Sequence, residues 1–333
     1  MKVLVTGAAG FIGSAMAQRL EKMGHVVVGI DNFNDYYNPS LKVERAGSWL
    51  LGSACDISSK TCADIWRAMR PDIVYHFAAQ AGVRHSKEHP GEYINTNIKG
   101  TQFLLEMNAK YPAQFVFISS SSVYNHDVTV ATEASPTGRP STLYGASKIA
   151  GEMLCHAHAA TYGNPILIVR PFTVYGPWGR PDMAVWRFTQ AIEQGSPIDL
   201  YGDGEQYRDF TYIDDLVAAL YRLTVPEETR WKGDGCEAFN ICKGNADHLR
   251  YVVKLIGEAL DKQPAINSMP MQYGDVPFKQ GDNTKLMNQI GYAPSTPIEE
   301  GVGRFVEWFK GYRGRGPEAT RLIPPKGPSK SNF

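Results

Sequence analysis

The chain has 333 residues, and its 34 lysines and arginines balance 34 aspartates and glutamates, so its formal net charge is zero. This balance argues against a basic nucleic-acid-binding protein and against a polybasic membrane surface. Hydrophobic residues make up 43% of the chain, which is enough for a core and excludes disorder of the whole chain.

Membrane and metal partners are not expected either. No apolar run is long enough to span a bilayer, and the N-terminus enters an apolar run without a signal-peptide layout. The five cysteines lack zinc-ligand spacing, so we expect no metal. Because their number is odd, they cannot all pair within one chain, and we expect free thiols in a reducing cytoplasm.

Short apolar runs alternate with helical patterns over the first half of the chain. Helical periodicity lies at about residues 12–23, 60–69, 93–110 and 144–162. Five apolar runs read as strands buried on both faces: Val3–Val5, Val26–Ile30, Ile73–Phe77, Phe115–Ile118 and Ile166–Val169. This order predicts an α/β protein of the Rossmann type, a doubly wound parallel sheet with helices on both faces. His76, inside an apolar strand, is expected to be a core histidine with hydrogen-bond partners.

Proline and glycine become frequent after Arg170, while helical patterns continue at about 183–194, 215–224, 248–260 and 299–310. We expect a Rossmann domain over residues 1–170 and a smaller C-terminal α/β substrate lobe over residues 171–312. A strand near residues 237–241 is a candidate for returning to the first domain. Residues 313–333 lack periodicity and are expected to form a tail.

A glycine-rich loop separates the first strand from the first helix. Gly7, Gly10 and Gly13 have the spacing GxxGxxG, which lets the backbone turn tightly and approach a pyrophosphate. The backbone N–H groups at Phe11 and Ile12 then lie at the positive end of the helix. Three glycines alone are also compatible with a plain tight turn.

An acidic residue at the end of the second strand makes the nucleotide interpretation stronger. Asp31, followed by Asn32, lies 18 residues after Gly13. A carboxylate there accepts hydrogen bonds from ribose hydroxyls and repels a 2′-phosphate, which favours NAD over NADP.

Two further segments are candidates for the same site. Asp56 and Ile57 are expected after a third strand, where an acidic residue can face the adenine. Small residues after a fourth strand, Ala78 and Ala79 followed by Gln80, would let the dinucleotide lie close. Taken alone, this second segment is also typical of an ordinary strand-to-helix turn.

Tyr144 and Lys148 are four residues apart on a predicted helix and therefore share one face. A nearby ammonium, with the positive nicotinamide of NAD⁺, would favour the tyrosine phenolate, which could then act as a base. Ser120 follows the predicted strand Phe115–Ile118, at the edge of the sheet where ligands bind, and its hydroxyl could donate to a substrate oxygen. The same residues are also compatible with chance spacing and a polar loop.

These motifs resemble the extended short-chain dehydrogenase/reductases over nearly the whole chain to about residue 310. Three longer segments, at 31–39, 173–184 and 207–215, are similar to nucleotide-sugar 4-epimerases and in particular to UDP-glucuronate 4-epimerases. The resemblance implies bound NAD, a UDP-sugar substrate held by the lobe at 171–312, and a homodimer formed through helices near 93–110 and 144–162.

The resemblance also implies roles for single residues. It makes Ser120, Tyr144 and Lys148 the catalytic set and Asn97 a polar residue on the cofactor side. It places Arg208 on the UDP diphosphate, Asp275 on the uridine ribose and Thr173 beside the sugar.

The implied reaction oxidises the sugar at C4, turns the 4-keto sugar under its anchored UDP, and reduces it from the other face. With glucuronate, the intermediate is a β-keto acid that can lose CO₂. Related enzymes that decarboxylate or dehydrate carry an acid just after the catalytic serine or threonine, where this chain has Ser121 and Ser122. We predict that these serines and Thr173 form a cradle for the sugar carboxylate. Arg180 could also approach it, or could be a structural ion of its loop.

Two other functions stay open from the sequence. The first is an epimerase of a neutral UDP-hexose or UDP-N-acetylhexosamine, which needs no carboxylate cradle. The second is a non-catalytic NAD-sensing protein on the same fold, although such a protein has no need of Ser120, Tyr144 and Lys148. A net dehydrogenase is disfavoured, because inversion recycles the hydride.

Overall fold

The computed structural model describes residues 1–50, 54–272 and 274–313. In these ranges the strands, in chain order, are β1 (Lys2–Thr6), β2 (Val26–Ile30), β3 (Ile73–His76), β4 (Gln114–Ile118), β5 (Val130–Ala131), β6 (Ile166–Pro171), β7 (Thr173–Tyr175), β8 (Ile198–Tyr201), β9 (Tyr207–Tyr212), β10 (Cys236–Ile241), β11 (Ala246–His248), β12 (Ile266–Met269) and β13 (Phe278–Gly281).

The α-helices of the same ranges are α1 (Phe11–Lys22), α2 (Ser40–Arg45), α3 (Lys60–Met69), α4 (His85–Glu88), α5 (Pro90–Tyr93), α6 (Thr101–Lys110), α7 (Leu143–Tyr162), α8 (Ala184–Gln194), α9 (Ile213–Thr224), α10 (Leu249–Leu260), α11 (Thr284–Ile290) and α12 (Ile298–Arg313). A π-helical turn spans Ile94–Gly100, and single 3₁₀ turns span Ser121–Val123 and Gly202–Gly204. The described helices include no segment whose length and hydropathy would suit a membrane span.

The central sheet has six parallel strands in the order β10-β6-β4-β3-β1-β2. The order reverses beside β1, as in doubly wound folds, so the predicted fold class is confirmed. Alternate residues of β1 face opposite sides, with Val3 and Val5 in one core and Leu4 in another. Met16 of α1 packs in the first core and Trp66 of α3 in the second, so helices cover both faces.

The two halves of the chain exchange strands. The strand expected near residues 237–241 is β10, which pairs with β6 at the edge of the central sheet. Conversely, β5 from the first half pairs with β13 from the second. A smaller sheet runs β11-β9-β13-β5, with β7 also on β9. The boundary at residue 170 therefore remains a prediction about domains, and residues 314–333 of the expected tail lie outside the described residues.

Two sequence-based expectations about elements need correction. In the described residues no further strand lies between β2 and Asp56, since Leu50 makes only an isolated bridge to Gly29 and residues 51–53 are outside the description. The strand that ends at His76 is therefore the third of the sheet. The single helix expected over 93–110 is instead α5, a π-helical turn and α6, because seven residues take the wider hydrogen-bond pattern.

His76 is a satisfied core histidine, as predicted. It is 1% exposed, and its two ring nitrogens are hydrogen-bonded to Thr6 Oγ1 at 2.9 Å and Thr101 Oγ1 at 3.0 Å. Burial, together with the charge of Lys148, lowers the pKa of the His76 imidazole to about 3. The ring is therefore neutral at physiological pH and ties β3 to β1 and α6.

A buried ion pair joins α7 to β6 and generates a stability prediction. Arg170 contacts both carboxylate oxygens of Glu152, at 2.9 and 2.6 Å, and both side chains are almost completely buried. Replacing Arg170 with alanine leaves a buried carboxylate without its counter-charge, so we expect a loss of about 3–5 kcal/mol in unfolding free energy.

The matched control is Arg67→Ala, which removes an exposed arginine paired with Asp64 at 2.9 Å. We expect this change to stay within about 0.5 kcal/mol of wild type. Urea unfolding measures both, and equal losses in the two variants would contradict the assignment.

Candidate active site

A cavity of about 920 Å³ opens at the carboxyl ends of the central strands. Loops that follow β1, β2, β3, β4 and β6 line it on one side. Residues from α8, β8, β9 and the segment 274–276 line it on the other. The cavity therefore lies where parallel sheets bind ligands, between the sheet and the later half of the chain.

The glycine loop forms one wall of this cavity. Gly7 has a φ of +68°, and a Cβ there would lie 2.6 Å from the backbone nitrogen of Ala78. A Cβ at Gly13 would lie 2.2 Å from the Gly7 carbonyl oxygen. Gly10, Phe11 and Ile12 line the cavity, and within the described chain no side chain caps α1. The first-turn N–H groups are thus available to a pyrophosphate, which fits NAD.

Asp31 lies beneath the same loop and is mostly buried. Its Oδ2 accepts a hydrogen bond from Ala9 N at 3.0 Å, and its Oδ1 accepts one from Phe33 N at 2.8 Å. Because each carboxylate oxygen has a second lone pair, Asp31 can also accept from a ribose hydroxyl. Both Asp31 and Asn32 line the cavity, as the nucleotide interpretation requires.

The other candidate cofactor residues divide into two groups. Those that line the cavity are Asp56, Ile57, Ala78, Ala79 and Gln80. Asn97, in contrast, is buried behind the wall. Its Oδ1 accepts from Gln80 N at 2.7 Å, and its Nδ2 donates to Ser147 Oγ at 2.9 Å. Asn97 therefore braces the cavity loop against α7 from outside the cavity.

Tyr144, Lys148 and Ser120 meet in the middle of the cavity wall. Helix α7 begins at Leu143, and its N-cap Thr142 accepts a hydrogen bond from Gly145 N at 3.2 Å. Ser120 lies close enough to Tyr144 to influence its phenol, and Lys148 Nζ donates to the Ile118 carbonyl at 2.8 Å. The three residues predicted as a catalytic set are thus brought together.

Burial dominates the electrostatics of this set. It raises the pKa of the Tyr144 phenol above its ordinary value, although the hydrogen bond with Ser120 and the charge of Arg180 both act to lower it. Burial also lowers the pKa of the Lys148 ammonium to about 8, against the raising effect of Glu152. The expectation that Lys148 and a bound nicotinamide favour the phenolate remains a prediction.

Hydroxyl groups and one arginine that the sequence assigns to the sugar also belong to this cavity. Ser121, Ser122 and Thr173 all line the cavity, as does Arg180. Arg180 Nε donates to Asp182 Oδ1 at 2.9 Å, and its terminal nitrogen contacts the other carboxylate oxygen. Burial favours the neutral acid, but Arg180 outweighs it and holds the pKa of the Asp182 carboxyl below its ordinary value. Arg180 is therefore a cavity residue that carries its own counter-ion.

Positive charge collects at the far end of the cavity. Arg208 contacts Asp275 at 3.4 Å, and Arg84 contacts the other oxygen of Asp275 at 3.7 Å. Lys279 also lines this end, and burial, followed by the charge of Arg208, lowers the pKa of its ammonium to about 8. Three cations against one carboxylate suit a dianionic ligand such as a diphosphate.

Sequence reasoning missed several residues of this site. Tyr36 donates to Asp182 at 3.0 Å, and the Lys42 ammonium donates to the Asn34 carbonyl at 2.8 Å. Others missed were Arg84, Asp182 and Lys279. Most of these residues come from irregular loops whose contacts lie far away in the chain, so no local pattern marks them. The segments at 31–39 and 173–184 were noted for resemblance, and they contain Tyr36 and Asp182.

Comparisons with known proteins agree on one family. The model of the NAD dependent epimerase/dehydratase family matches residues 3–242. A probable UDP-glucuronate 4-epimerase from Rhizobium meliloti is 40% identical over 93% of this chain and 97% of its own length.

Two solved structures are also similar along the chain. The UDP-glucuronic acid 4-epimerase from Bacillus cereus, in complex with UDP-glucuronic acid and NAD, has a TM-score of 0.87 at 33% identity and covers 93% of this chain and 99% of its own. The UDP-glucose 4-epimerase from Thermotoga maritima, with UDP-glucose, has a TM-score of 0.83 at 33% identity with the same coverage.

The glycine loop generates a prediction about nucleotide binding. A methyl group at Gly13 would overlap the Gly7 carbonyl, so Gly13→Ala must displace the loop from its anion-binding position. Overpacking of this kind costs about 1–3 kcal/mol, so we expect roughly a tenfold or greater loss of affinity for NAD. Titration of the nucleotide-stripped protein with NAD measures the loss.

Gly303→Ala is the control, since a Cβ at Gly303 in α12 meets no described atom within 4 Å. Circular dichroism checks that both variants are folded. An affinity for NAD that is the same in both variants would contradict a role of the loop in cofactor binding.

Proposed function

This chain belongs to the NAD-dependent epimerase/dehydratase family, and we propose that it inverts the C4 centre of UDP-glucuronate to give UDP-galacturonate. The observation that carries this proposal is the row of hydroxyl groups, with Arg180, beside the Ser120–Tyr144 pair in one cavity. The reaction is an isomerisation that uses NAD and leaves no net redox change.

The cofactor would be held by the glycine loop, Asp31 and the small residues after β3. The chemistry that NAD would supply when bound is reversible hydride transfer at C4 of the sugar. The chain itself supplies N–H groups for the pyrophosphate, a carboxylate for the ribose, and a loop made of Ala78 and Ala79 that permits close approach.

Proton transfer at C4 falls to Tyr144. As phenolate it removes the proton of the C4 hydroxyl, and as phenol it returns that proton to the same oxygen in the second half of the reaction. Ser120, which lies beside Tyr144, donates to this oxygen and stabilises the charge that develops on it. Lys148 lies one helical turn after Tyr144 and is held there by the Ile118 carbonyl. In this position its charge favours the Tyr144 phenolate.

Inversion requires the sugar to present both faces of C4 without leaving the enzyme. The cationic end of the cavity provides this anchor, because Arg208 and Lys279 can bind the diphosphate while the sugar turns. Asp275 lies between Arg208 and Arg84, where a carboxylate can also accept from the uridine ribose.

A uronic acid needs a polar surface for its own carboxylate. Ser121, Ser122 and Thr173 offer three hydroxyl donors on the cavity wall, and Arg180 adds a positive charge. Donors of this kind hold the acid in its charged form and oppose loss of CO₂ from the β-keto intermediate. We therefore assign these residues to the sugar carboxylate.

The acid nearest to this surface is unsuited to proton donation. Asp182 lines the cavity, but Arg180 and Tyr36 occupy its oxygens, and its pKa lies below the ordinary value. It stays ionised at neutral pH and has no proton to give at C5. This arrangement disfavours decarboxylation, in which C5 must receive a proton after CO₂ leaves.

A neutral UDP-hexose is the second candidate substrate, since the Thermotoga maritima UDP-glucose 4-epimerase matches with a TM-score close to that of the glucuronate enzyme. The fold alone does not separate the two, because both substrates share the UDP and the C4 hydroxyl. The hydroxyl groups and Arg180 that we assign to the sugar carboxylate separate the two substrates, and they favour the uronic acid.

We further propose a homodimer in a reducing cytoplasm. Helices α6 and α7 pack on each other, and Met153 of α7 and Ile94 at the start of the π-helical turn are apolar and exposed. A second copy would cover such side chains. All five cysteines are free thiols, which suits a reducing compartment.

The product of the reaction tests the proposed function. With UDP-glucuronate, we expect NMR to show conversion to UDP-galacturonate without release of CO₂. Tyr144→Phe keeps the ring but removes the acid–base group, so turnover should fall by about 10²–10⁴-fold while NAD remains bound. Wild-type turnover in this variant, or faster conversion of UDP-glucose than of UDP-glucuronate by the native chain, would refute the proposal.

The hydroxyl groups assigned to the sugar carboxylate generate a separate prediction. Replacing Ser121, Ser122 and Thr173 together with alanine removes three donors to a charged group, each worth about 1.5–3 kcal/mol. We expect the KM for UDP-glucuronate to rise at least roughly tenfold, or a UDP-pentose to be released by loss of CO₂.

The control for this change is the residual activity with UDP-glucose, which has no carboxylate to lose contacts. Steady-state kinetics and NMR of the products measure both substrates. Unchanged kinetics and product with UDP-glucuronate would show that the three hydroxyls do not contact the acid.

A further inference from the structure

Three metal-ligating side chains converge on the short helices α4 and α5. His85, His89 and Glu92 each place one ligand atom within 4.8 Å of the other two. We propose that these residues form a binding site for a divalent transition metal ion, with zinc the best match to two imidazoles and one carboxylate. The cysteine spacing had predicted no metal, and this cluster contains no cysteine.

The distances suit a metal ion of this size. His85 Nε2 lies 3.1 Å from Glu92 Oε2, and His89 Nδ1 lies 3.5 Å from Glu92 Oε1. Zinc–nitrogen and zinc–oxygen bonds of about 2.0–2.2 Å in a tetrahedron place neighbouring ligand atoms roughly 3.3 Å apart. The two pairs are therefore already near the spacing of ligands around one ion.

The local backbone explains why the three side chains meet. Helix α4 ends at Glu88, His89 takes a non-helical conformation, and Pro90 begins α5. The turn at His89 brings Glu92 back toward His85. The two imidazole rings stack with centroids 4.1 Å apart and planes inclined by 19°. Because a ring nitrogen binds a metal in the plane of its ring, one of the two rings must turn about its side-chain bonds when the ion binds. The histidines are largely shielded, whereas the Glu92 side chain is half-exposed, so solvent can supply a fourth ligand.

The cluster lies next to the active-site cavity but outside it, since none of its three residues lines the cavity. His85 packs on Tyr36 with ring centroids 4.8 Å apart, and Tyr36 donates to Asp182, the partner of Arg180. The preceding residue, Arg84, contacts Asp275. A bound ion would therefore fasten the outer wall of the cavity and act structurally, without touching the reacting atoms.

The site can be tested on the full-length chain without a histidine tag, after treatment with a chelator. Calorimetric titration with Zn²⁺ should show one ion per chain, and the melting temperature should rise with Zn²⁺. Co²⁺ should give the intense visible absorption of a four-coordinate site. His89→Gln should weaken Zn²⁺ binding by more than the roughly 10–100-fold that loss of an outer-sphere partner costs.

His156→Gln is the matched control, because His156 is an exposed histidine on α7, outside the cluster. It should bind Zn²⁺ as wild type does. Glu92→Gln, which keeps the size of the side chain, should also lose affinity. Equal binding in the His89 and His156 variants, no binding of Zn²⁺ at millimolar concentration, or a weak octahedral Co²⁺ spectrum would overturn the proposal. The last two outcomes would leave a hydrogen-bonded His–Glu–His cluster. None of these measurements depends on the epimerase reaction.

Discussion

The hydrogen bond from the Lys148 ammonium to the Ile118 carbonyl fixes the position of the reacting groups. It joins α7 to the end of β4, and both residues are mostly buried. Tyr144 lies one helical turn before Lys148, and Ser120 lies two residues after Ile118, so one contact sets the phenol beside the serine. Two other bonds of α7 keep the helix from sliding: Ser147 accepts from Asn97, and Glu152 binds Arg170.

This attachment has an electrostatic consequence. A buried ammonium is costly, and Glu152 lies close enough to oppose the fall in its pKa. The phenol of Tyr144 is buried in the same region, so its pKa is raised until more positive charge arrives. The proton of Tyr144 therefore depends on what occupies the cofactor side of the cavity.

The sequence predicted those parts of the fold and site that depend on local pattern. Periodicity and spacing predicted the apolar strands, the glycine loop with Asp31, and the pair Tyr144 and Lys148. In the structure the strands form the central sheet, and the other residues lie together at the carboxyl ends of those strands. The pairing of Arg180 with Asp182 could not be predicted from the sequence. An arginine that approaches the sugar acid and an arginine that is a structural ion of its loop differ only in the side chains around them. The structure shows it both facing the cavity and held by a neighbour.

Long-range contacts account for most of what the sequence did not predict. Arg84 meets Asp275 across almost two hundred residues, and no local signal links an arginine after β3 to a carboxylate before β13. Asn97 was expected on the cofactor side because of resemblance, yet its amide binds the backbone behind the wall. Polar residues near a site can thus hold its wall together, a role that only packing reveals, and the cofactor role of Asn97 stays a prediction.

Charge pairing also explains how one cavity can accept an anionic sugar and still avoid decarboxylating it. Two carboxylates of the cavity have an arginine partner, Asp182 with Arg180 and Asp275 with Arg208. Arg180 holds the pKa of the Asp182 carboxyl below its ordinary value, so this acid has no proton to lend to a uronic acid. Under the proposed assignment, hydroxyl groups then remain as the donors beside C4 and the sugar acid. Because hydroxyls stabilise a carboxylate without protonating its carbon skeleton, the β-keto acid can survive until its C4 oxygen is reprotonated.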